Sequence, residues 1–546
     1  MLEKFLPRTE FDSYEDFINN YQVNIPESFN FGFDVIDGWA AKDENKTALV
    51  WCNDHDEEKI FTFADLSRLS NKAANFFAQS GIGKGDVVMC ILRRRYEYWI
   101  TAIALCKLGA VLIPATMQLT VKDITYRANA AQIKALVCVD DSYVIEQVEE
   151  ALPACPTIQT KVLAAGNREG WLNFDEQIAP QPDTFARPNN IKNSDPMLVY
   201  FTSGTTGMPK MVLHDFTHPL GHIVTAHYWQ QVQEGKLHMS VSDSGWAKFG
   251  WGKIYGQLTC GAVIFAYDMD KFVPKNLMAK LQQYKVTTFC APPTMFRFML
   301  ADGMEDYDLS SIEHCGNAGE PLNPEIFQRI NSLLGLNMSE GFGQSESTVL
   351  LANFPWFTPR PGSMGKPAPL YDIDIQNADG ASCEDGEEGE VVIRNVEALG
   401  LFRGYYQEPG LTEAAFEGGV YHTGDMAWRD HDGYYWFVGR NDDVIKCSGY
   451  RIGPFEVESA LSEHAAVLEC AITAAPDPKR GQIVKATIVL NRGFAPSDEL
   501  IKELQDHVKH TTAPYKYPRI IEFVEELPKT IGGKIKRAEI RQKDHE

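Results

Sequence analysis

Short runs of consecutive apolar residues alternate with helix-period segments over the first two hundred residues. Val87-Val88-Met89-Cys90-Ile91-Leu92 and Ala135-Leu136-Val137-Cys138-Val139 are apolar throughout and of strand length. A strand that is apolar on both faces must be covered on both, which predicts a parallel sheet sandwiched by helices. The intervening segments fit. Thr62 to Ser80 gathers Leu66, Leu69, Ala73, Phe76 and Phe77 on one face, and Gly81 can end that helix. A helix over Ile100–Leu105 and a strand over Ala110–Ile113 follow. The most hydrophobic window, Tyr98 to Met117, is interrupted by Lys107, Gly109 and Pro114. It reads as a buried helix leading into a sheet strand, not as a membrane span.

Strands at Gly261–Phe265 and Val286–Phe289, with a helix over Lys275–Tyr284 before the second, continue the pattern. Between Pro361 and Arg440 the texture changes to short alternating segments: Tyr371–Ile375, Gly389–Arg394 and Tyr434–Val438. Glycine and acidic turns separate them, predicting an antiparallel sheet or small barrel. The charged, glycine-bearing stretch Gly439–Gly453 reads as a domain boundary. Beyond it, helices at Pro454–Glu463 and Glu499–Lys509 and strands at Val467–Thr473 and Val484–Leu490 suffice for a compact α+β domain.

A chain of 546 residues exceeds one core, so two or more domains are expected. The net charge of −23 argues against nucleic acid or an anionic membrane as partner. From Asp443 onward, 16 basic residues balance 16 acidic ones, so the acidic excess lies before that point. Eleven dispersed cysteines without a C-x-x-C pair indicate buried thiols in a reducing compartment. The N-terminus lacks a basic start followed by an apolar core, so no signal peptide is read and a cytoplasmic location is expected.

Chemistry is first legible at Tyr200–Lys210, where hydroxyl residues, two glycines and a lysine follow a strand. Glycines let backbone N–H groups close on an anion, hydroxyls add donors, and lysine adds charge. It is not a Walker A loop, because Met208 and Pro209 separate Gly207 from Lys210 and Met211 follows. Asn317–Leu322 reads by itself as a turn. In Glu340–Glu346 the third glycine of a dinucleotide fingerprint is Glu346, so that reading fails. Asp425, after a tight turn in Tyr421–Asp425, can accept ribose hydroxyls. The basic stretch Leu527–Arg537 lies near the C-terminus.

The Thr202–Lys210 loop resembles the phosphate loop of the adenylate-forming superfamily: acyl-CoA synthetases, stand-alone adenylation enzymes and beetle-type luciferases. The other motifs follow in that family's order as far as Arg537. Ser448–Pro454 and Thr512–Arg519 look most like the medium-chain acyl-CoA synthetase branch. The resemblance implies an α/β fold with a large N-terminal body of stacked αβ subdomains over 1–441. Within it a small, β-barrel-like subdomain spans about 347–440. A small mobile α+β domain over 442–546 would turn about a hinge at Asp442.

The resemblance also implies site residues. ATP or AMP would be held by Thr202, Ser203, Gly204, Thr205, Thr206, Gly207 and Lys210 on the phosphate side. Gly319, Glu320 and Pro321 would lie at the adenine. Glu340, Gly341, Phe342, Gly343, Gln344 and Ser345 would lie beside the adenylate, and Asp425 and Arg440 at the ribose. Phe342 and Ser345 replace the more usual Tyr and Thr, keeping an aromatic ring and a hydroxyl. Mg²⁺ would sit on Glu346 with Thr205, since a carboxylate near a triphosphate needs a bridging cation. Lys534 and Lys210 would be catalytic and Asp442 the pivot. CoA would pass Ser448, Gly449, Tyr450 and Arg451 and meet Arg480, Lys509 and Tyr517.

The acyl pocket would be walled by Trp246, Trp251, Lys253, Gly316 and Gly343. Acetate-specific relatives carry Trp where Gly343 stands, so room is expected for methylenes worth about 0.8 kcal/mol each on burial. Lys253 would favour a short, branched or polar acid. The expected activity is ATP-dependent ligation of a short- to medium-chain or branched fatty acid to CoA through an acyl-AMP. The expected partners are small molecules, with no membrane span and a monomer or homodimer. The alternative is a stand-alone adenylating enzyme that loads an acyl carrier protein, against which the Ser-Gly-Tyr-Arg loop favours free CoA.

Overall fold

The structure is a computed structural model of the chain and describes residues 1–202, 208–447, 450–477, 480–529 and 535–543, apart from the side chains of Tyr450 and Arg451. A seven-stranded sheet runs in the order Leu172–Asn173, Thr160–Ala164, Ile133–Val139, Val87–Ile91, Val111–Pro114, Pro196–Thr202, Lys210–Asp215. Its neighbours are parallel except for the last pair, an antiparallel hairpin. The two central apolar runs thus form the predicted parallel strands.

The first strand, Thr47–Asn53, belongs elsewhere. It pairs in parallel with Val263–Asp268, more than two hundred residues away, at one side of a thirteen-stranded sheet. That sheet continues in parallel through Leu237–Ser240, Thr288–Ala291, His314–Ala318 and Ser339–Phe342. It then turns antiparallel through Leu351–Ala352, Ser363–Pro367, Tyr435–Arg440, Tyr421–Arg429, Gly389–Ile393 and Ile373–Gln376. The β-rich segment is therefore an antiparallel sheet, the first of the two expected alternatives, and it runs on from the parallel strands. Backbone pairing at Leu351 and Ser363 joins the two, and periodicity carries no trace of it.

Helix Phe63–Gln79 starts on a capping box, in which Thr62 and Asp65 each accept from the other's backbone N–H. It packs on helix Glu97–Leu108, all of whose residues are buried, as an apolar sequence without a polar face requires. Gly109, at φ 78°, closes that helix. No helix among the described residues is long and apolar enough to cross a membrane.

From Ile445 the strands form a separate five-stranded sheet: Tyr450–Ile452, Ile445–Cys447, Gly481–Leu490 and Val467–Asp477 in order, with Ile520–Phe523 also pairing on Gly481–Leu490. Its core includes Val457, Leu461, Ile472, Val484 and Leu504. Helix Pro454–Ser462 leans on Tyr435–Arg440 of the large sheet. A side chain at Gly453 would meet the Val438 carbonyl oxygen at 2.4 Å, and Phe455 faces Phe437 with ring centroids 6.4 Å apart.

Candidate active site

Gly319, Glu320 and Pro321 follow strand His314–Ala318, and Gly343, Gln344, Ser345 and Glu346 follow strand Ser339–Phe342, at the ends of two adjacent parallel strands, the usual position for a ligand in an open α/β sheet. The phosphate loop is the connection of the Pro196–Thr202/Lys210–Asp215 hairpin, in which Thr202 pairs with Lys210. Ser203, Gly204, Thr205, Thr206 and Gly207 lie outside the described residues. The Lys210 ammonium lies over the Tyr405 ring, 4.9 Å from its centroid. The Tyr405 hydroxyl donates to Glu346 Oε1 at 3.1 Å. Burial pushes the Glu346 carboxyl up, opposed by Tyr405, Arg440 and Lys210. Behind it, His214 Nε2 donates to the Ser345 carbonyl at 2.7 Å.

Gln344 links Tyr421, Thr423 and Asp425, the last of which was expected at the ribose. Tyr421 donates its hydroxyl to Gln344 Oε1 at 2.6 Å, which leaves the amide nitrogen to donate to Asp425 and, at 2.8 Å, to the Thr423 carbonyl. Asp425 also faces Arg440, with Nη1 3.2 Å from Oδ1, and the two residues are register partners on adjacent strands. Gly424 has φ +70°, and a side chain there would strike the Arg440 guanidinium at 2.8 Å. Asp442 follows Arg440 in the segment joining the large sheet to the small one.

The adenine-side residues divide. Gly319, at φ +100°, makes the turn after His314–Ala318, and Glu320 accepts from Thr294 Oγ1 at 2.7 Å. Pro321 follows in the same turn, and Phe342 lies 6.2 Å from Phe437, centroid to centroid. Glu340 is buried and, among the described residues, takes a long 3.4 Å contact from the Leu322 N–H on each oxygen; burial pushes its carboxyl up to about 8. Its register partner Asn317 is buried with neither end of its amide hydrogen-bonded.

On the acyl side the structure departs from expectation. The space freed by Gly343 is filled, since a side chain there would meet Trp251 Cη2 at 2.3 Å. Gly341 is pressed in the same way by Trp229, which sequence reading missed, at 2.3 Å. The two indoles meet edge to face at 6.3 Å. Gly316 is looser, its nearest neighbours being the Ser339 carbonyl at 3.5 Å and Cys290 Sγ and Trp229 at 3.8 Å. Trp246 is partly exposed at the start of helix Ala247–Lys253.

Lys253 leaves this wall. Its fully buried ammonium lies 5.5 Å from the centroid of Phe249, which packs on Tyr98 and Trp99, whereas Trp251 faces Trp229 and Gly343. Residues two apart on a helix point to nearly opposite sides, which the sequence expectation overlooked. The ammonium has no hydrogen-bond partner among the described residues, and burial lowers its pKa to about 7.

On the small domain, Lys509 lies over the Tyr517 ring at 4.4 Å and pairs with Asp506. Arg480 sits in the turn before Gly481, the register partner of Cys447. Ser448, Gly449 and Lys534 lie outside the described residues, as do the side chains of Tyr450 and Arg451.

Residues 36–406 match the AMP-binding enzyme family, and 456–534 match the AMP-binding enzyme C-terminal domain. The chain belongs to the AMP-binding enzyme family. Among curated relatives, the Mus musculus protein "Acyl-coenzyme A synthetase ACSM3, mitochondrial" is 40% identical, covering 98% of this chain and 94% of that protein. The Rattus norvegicus protein "Acyl-coenzyme A synthetase ACSM4, mitochondrial" is 41% identical, covering 96% and 92%. A crystal structure of the anthranilate CoA ligase AuaEII in complex with anthranoyl-AMP superposes with a TM-score of 0.88 at 28% identity, covering 95% of this chain and 98% of that one. These findings bear out the expected resemblance to acyl-CoA synthetases and the large-body, small-domain α/β fold of this AMP-binding enzyme.

They overturn the expected cytoplasmic location, because the curated relatives are named mitochondrial enzymes. Eleven buried free cysteines point to reducing surroundings, which do not separate one reducing compartment from another. Tyr405, Tyr421, Trp229 and His214 were missed because each acts through a neighbour distant in sequence. Tyr421 stood inside a quoted motif without a role.

Proposed function

We propose that this AMP-binding enzyme is an ATP-dependent carboxylate–CoA ligase. The carboxylate oxygen attacks the α-phosphorus of ATP, forming the acyl-AMP and releasing pyrophosphate. The CoA thiol loses its proton to solvent, its sulfur forms the bond to the acyl carbon, and the acyl C–O bond breaks with the electron pair leaving on the AMP phosphate oxygen. The first step shifts negative charge from oxygen to oxygen and the second from sulfur to oxygen, so the chain supplies cations and donors and not a strong base.

One observation carries the reading. Lys210, Asp425 and Arg440 come from three different strands and Gln344 and Glu346 from one turn, yet they are linked through Tyr405, Tyr421 and direct contacts. Lys210 would meet the phosphates, and Asp425 the ribose. Lys534 would approach the carboxylate and α-phosphate when the small domain turns about Asp442, and withdraw as Ser448–Arg451 bring CoA.

Among the described residues no group of three or more His, Cys, Asp or Glu side chains is placed to hold a metal. A Mg²⁺ held by Glu346 and Thr205 with the remaining ligands from triphosphate and water fits that composition, and would neutralise charge on the phosphates. With Trp251 on Gly343 and Trp229 on Gly341, the two indoles would line the acyl pocket, and the acid would be a short- to medium-chain or branched one. A pyrophosphate-release screen over linear, branched and aromatic acids, with CoA or a carrier protein as sole acceptor of the second step, tests both assignments. Release of AMP only with carrier protein would refute the CoA assignment.

A further inference from the structure

Tyr405 touches both charged groups assigned to the phosphate side. It is buried, its hydroxyl donates to Glu346 Oε1 at 3.1 Å, and Lys210 Nζ lies 4.9 Å from its ring centroid. Its own position is over-determined. Tyr405 bridges to Val212, and its N–H donates to Thr412 Oγ1 at 2.8 Å. On either side, Arg403 N donates to the Leu213 carbonyl at 2.8 Å and Tyr406 N to the Met211 carbonyl at 2.7 Å. Phe402 N donates to the Glu346 carbonyl at 2.7 Å, so one short segment grips Glu346 at both its backbone and its carboxylate. Gly404, at φ +109°, provides the turn this requires.

We propose that Tyr405 is a positioning residue for ATP: its hydroxyl aims the Glu346 carboxylate while its ring face seats the Lys210 ammonium. A buried carboxylate needs a donor to hold one orientation, and a ring face attracts a cation. The two groups are thereby set in place before the triphosphate arrives, at no further ordering cost on binding. The proposal rests on the assignment of Glu346 and Lys210 to the phosphate side.

The test compares wild type, Tyr405→Phe, Glu346→Gln and the double variant. It uses pyrophosphate exchange for adenylation, thioester formation from supplied acyl-AMP, calorimetric binding of ATP with magnesium, and thermal melting. Tyr405→Phe keeps the ring and should weaken ATP binding and raise its KM about fivefold, the scale of one hydrogen bond. Thioester formation and the melting temperature should stay unchanged. The double variant should be no worse than Glu346→Gln alone. Multiplied defects in the double variant, or equal losses in both half-reactions with a lower melting temperature, would overturn the proposal. Unchanged ATP binding in Tyr405→Phe while Glu346→Gln is impaired would overturn the role of Tyr405 and leave that of Glu346 intact. Unchanged binding in Glu346→Gln would refute the underlying assignment, and Tyr405's role with it.

Discussion

The Trp251 indole occupies the place a side chain at Gly343 would take, 2.3 Å from the position of its first carbon. The relationship is reciprocal, since the glycine admits the indole and the indole fills the space that the glycine leaves. Trp251→Ala should therefore extend the range of acids accepted. Each further methylene buried contributes about 0.8 kcal/mol, roughly fourfold in kcat/KM. Comparing kcat/KM from propionate to decanoate checks this, and an unaltered profile would remove Trp251 from the acyl wall. Gly343→Ala should instead destabilise by about 1–3 kcal/mol through overpacking.

Removal of the C-terminal lysine separates the two half-reactions. Lys534→Ala should abolish acyl-AMP formation and spare thioester formation from supplied acyl-AMP. Survival of both activities would show that Lys534 serves neither the carboxylate nor the α-phosphate.

Tyr421→Phe removes the donor that orients Gln344. The amide is then free to turn its oxygen towards Asp425, where two acceptors repel. An interaction of about 1 kcal/mol is lost, so KM for ATP should rise roughly fivefold with little change in KM for CoA. An equal rise for both substrates would speak against a local effect.

Five buried histidines set the acid limit. Burial lowers His214 and His314 to about 4, His222 and His238 to about 3, and His218 well below its usual value. In the unfolded chain each takes up a proton near pH 6.5, which the folded chain refuses until lower pH. Stability should thus be full above about pH 7 and fall continuously as pH drops towards 4, by several kcal/mol. Denaturant unfolding at pH 7.5 and pH 5 measures it, and equal midpoints would contradict the buried neutral state.

Lys253 is a liability of opposite sense to an ion pair. Its folded pKa of about 7 means that folding at neutral pH forces off a proton that the unfolded lysine keeps up to about pH 10.5. The penalty is greatest below pH 7 and fades as pH rises. Lys253→Met should stabilise the protein by a few kcal/mol at pH 7 and much less at pH 10. A destabilised variant at pH 7 would mean that the ammonium has a partner.

Much of the fold was legible because its signals are local. The apolar runs at 87–92 and 135–139 became the parallel strands Val87–Ile91 and Ile133–Val139, and the buried helix before Gly109 was read from its composition. The family was legible because its motifs are short contiguous strings. Lys253 was misplaced because nearness along the chain to Trp251 was read as a shared face.

By itself, the sequence determined many of the strands and helices, the α/β class with a large body and a smaller C-terminal domain, and the family to which the chain belongs. Those depend on residues within one turn or one strand of each other. Tertiary structure alone decided that Thr47–Asn53 joins Val263–Asp268, that Trp251 closes the space over Gly343, and that Tyr405 and Tyr421 hold Glu346 and Gln344. Such pairings join residues tens to hundreds of positions apart, and they are selected by the packing of whole sheets, which no local pattern encodes.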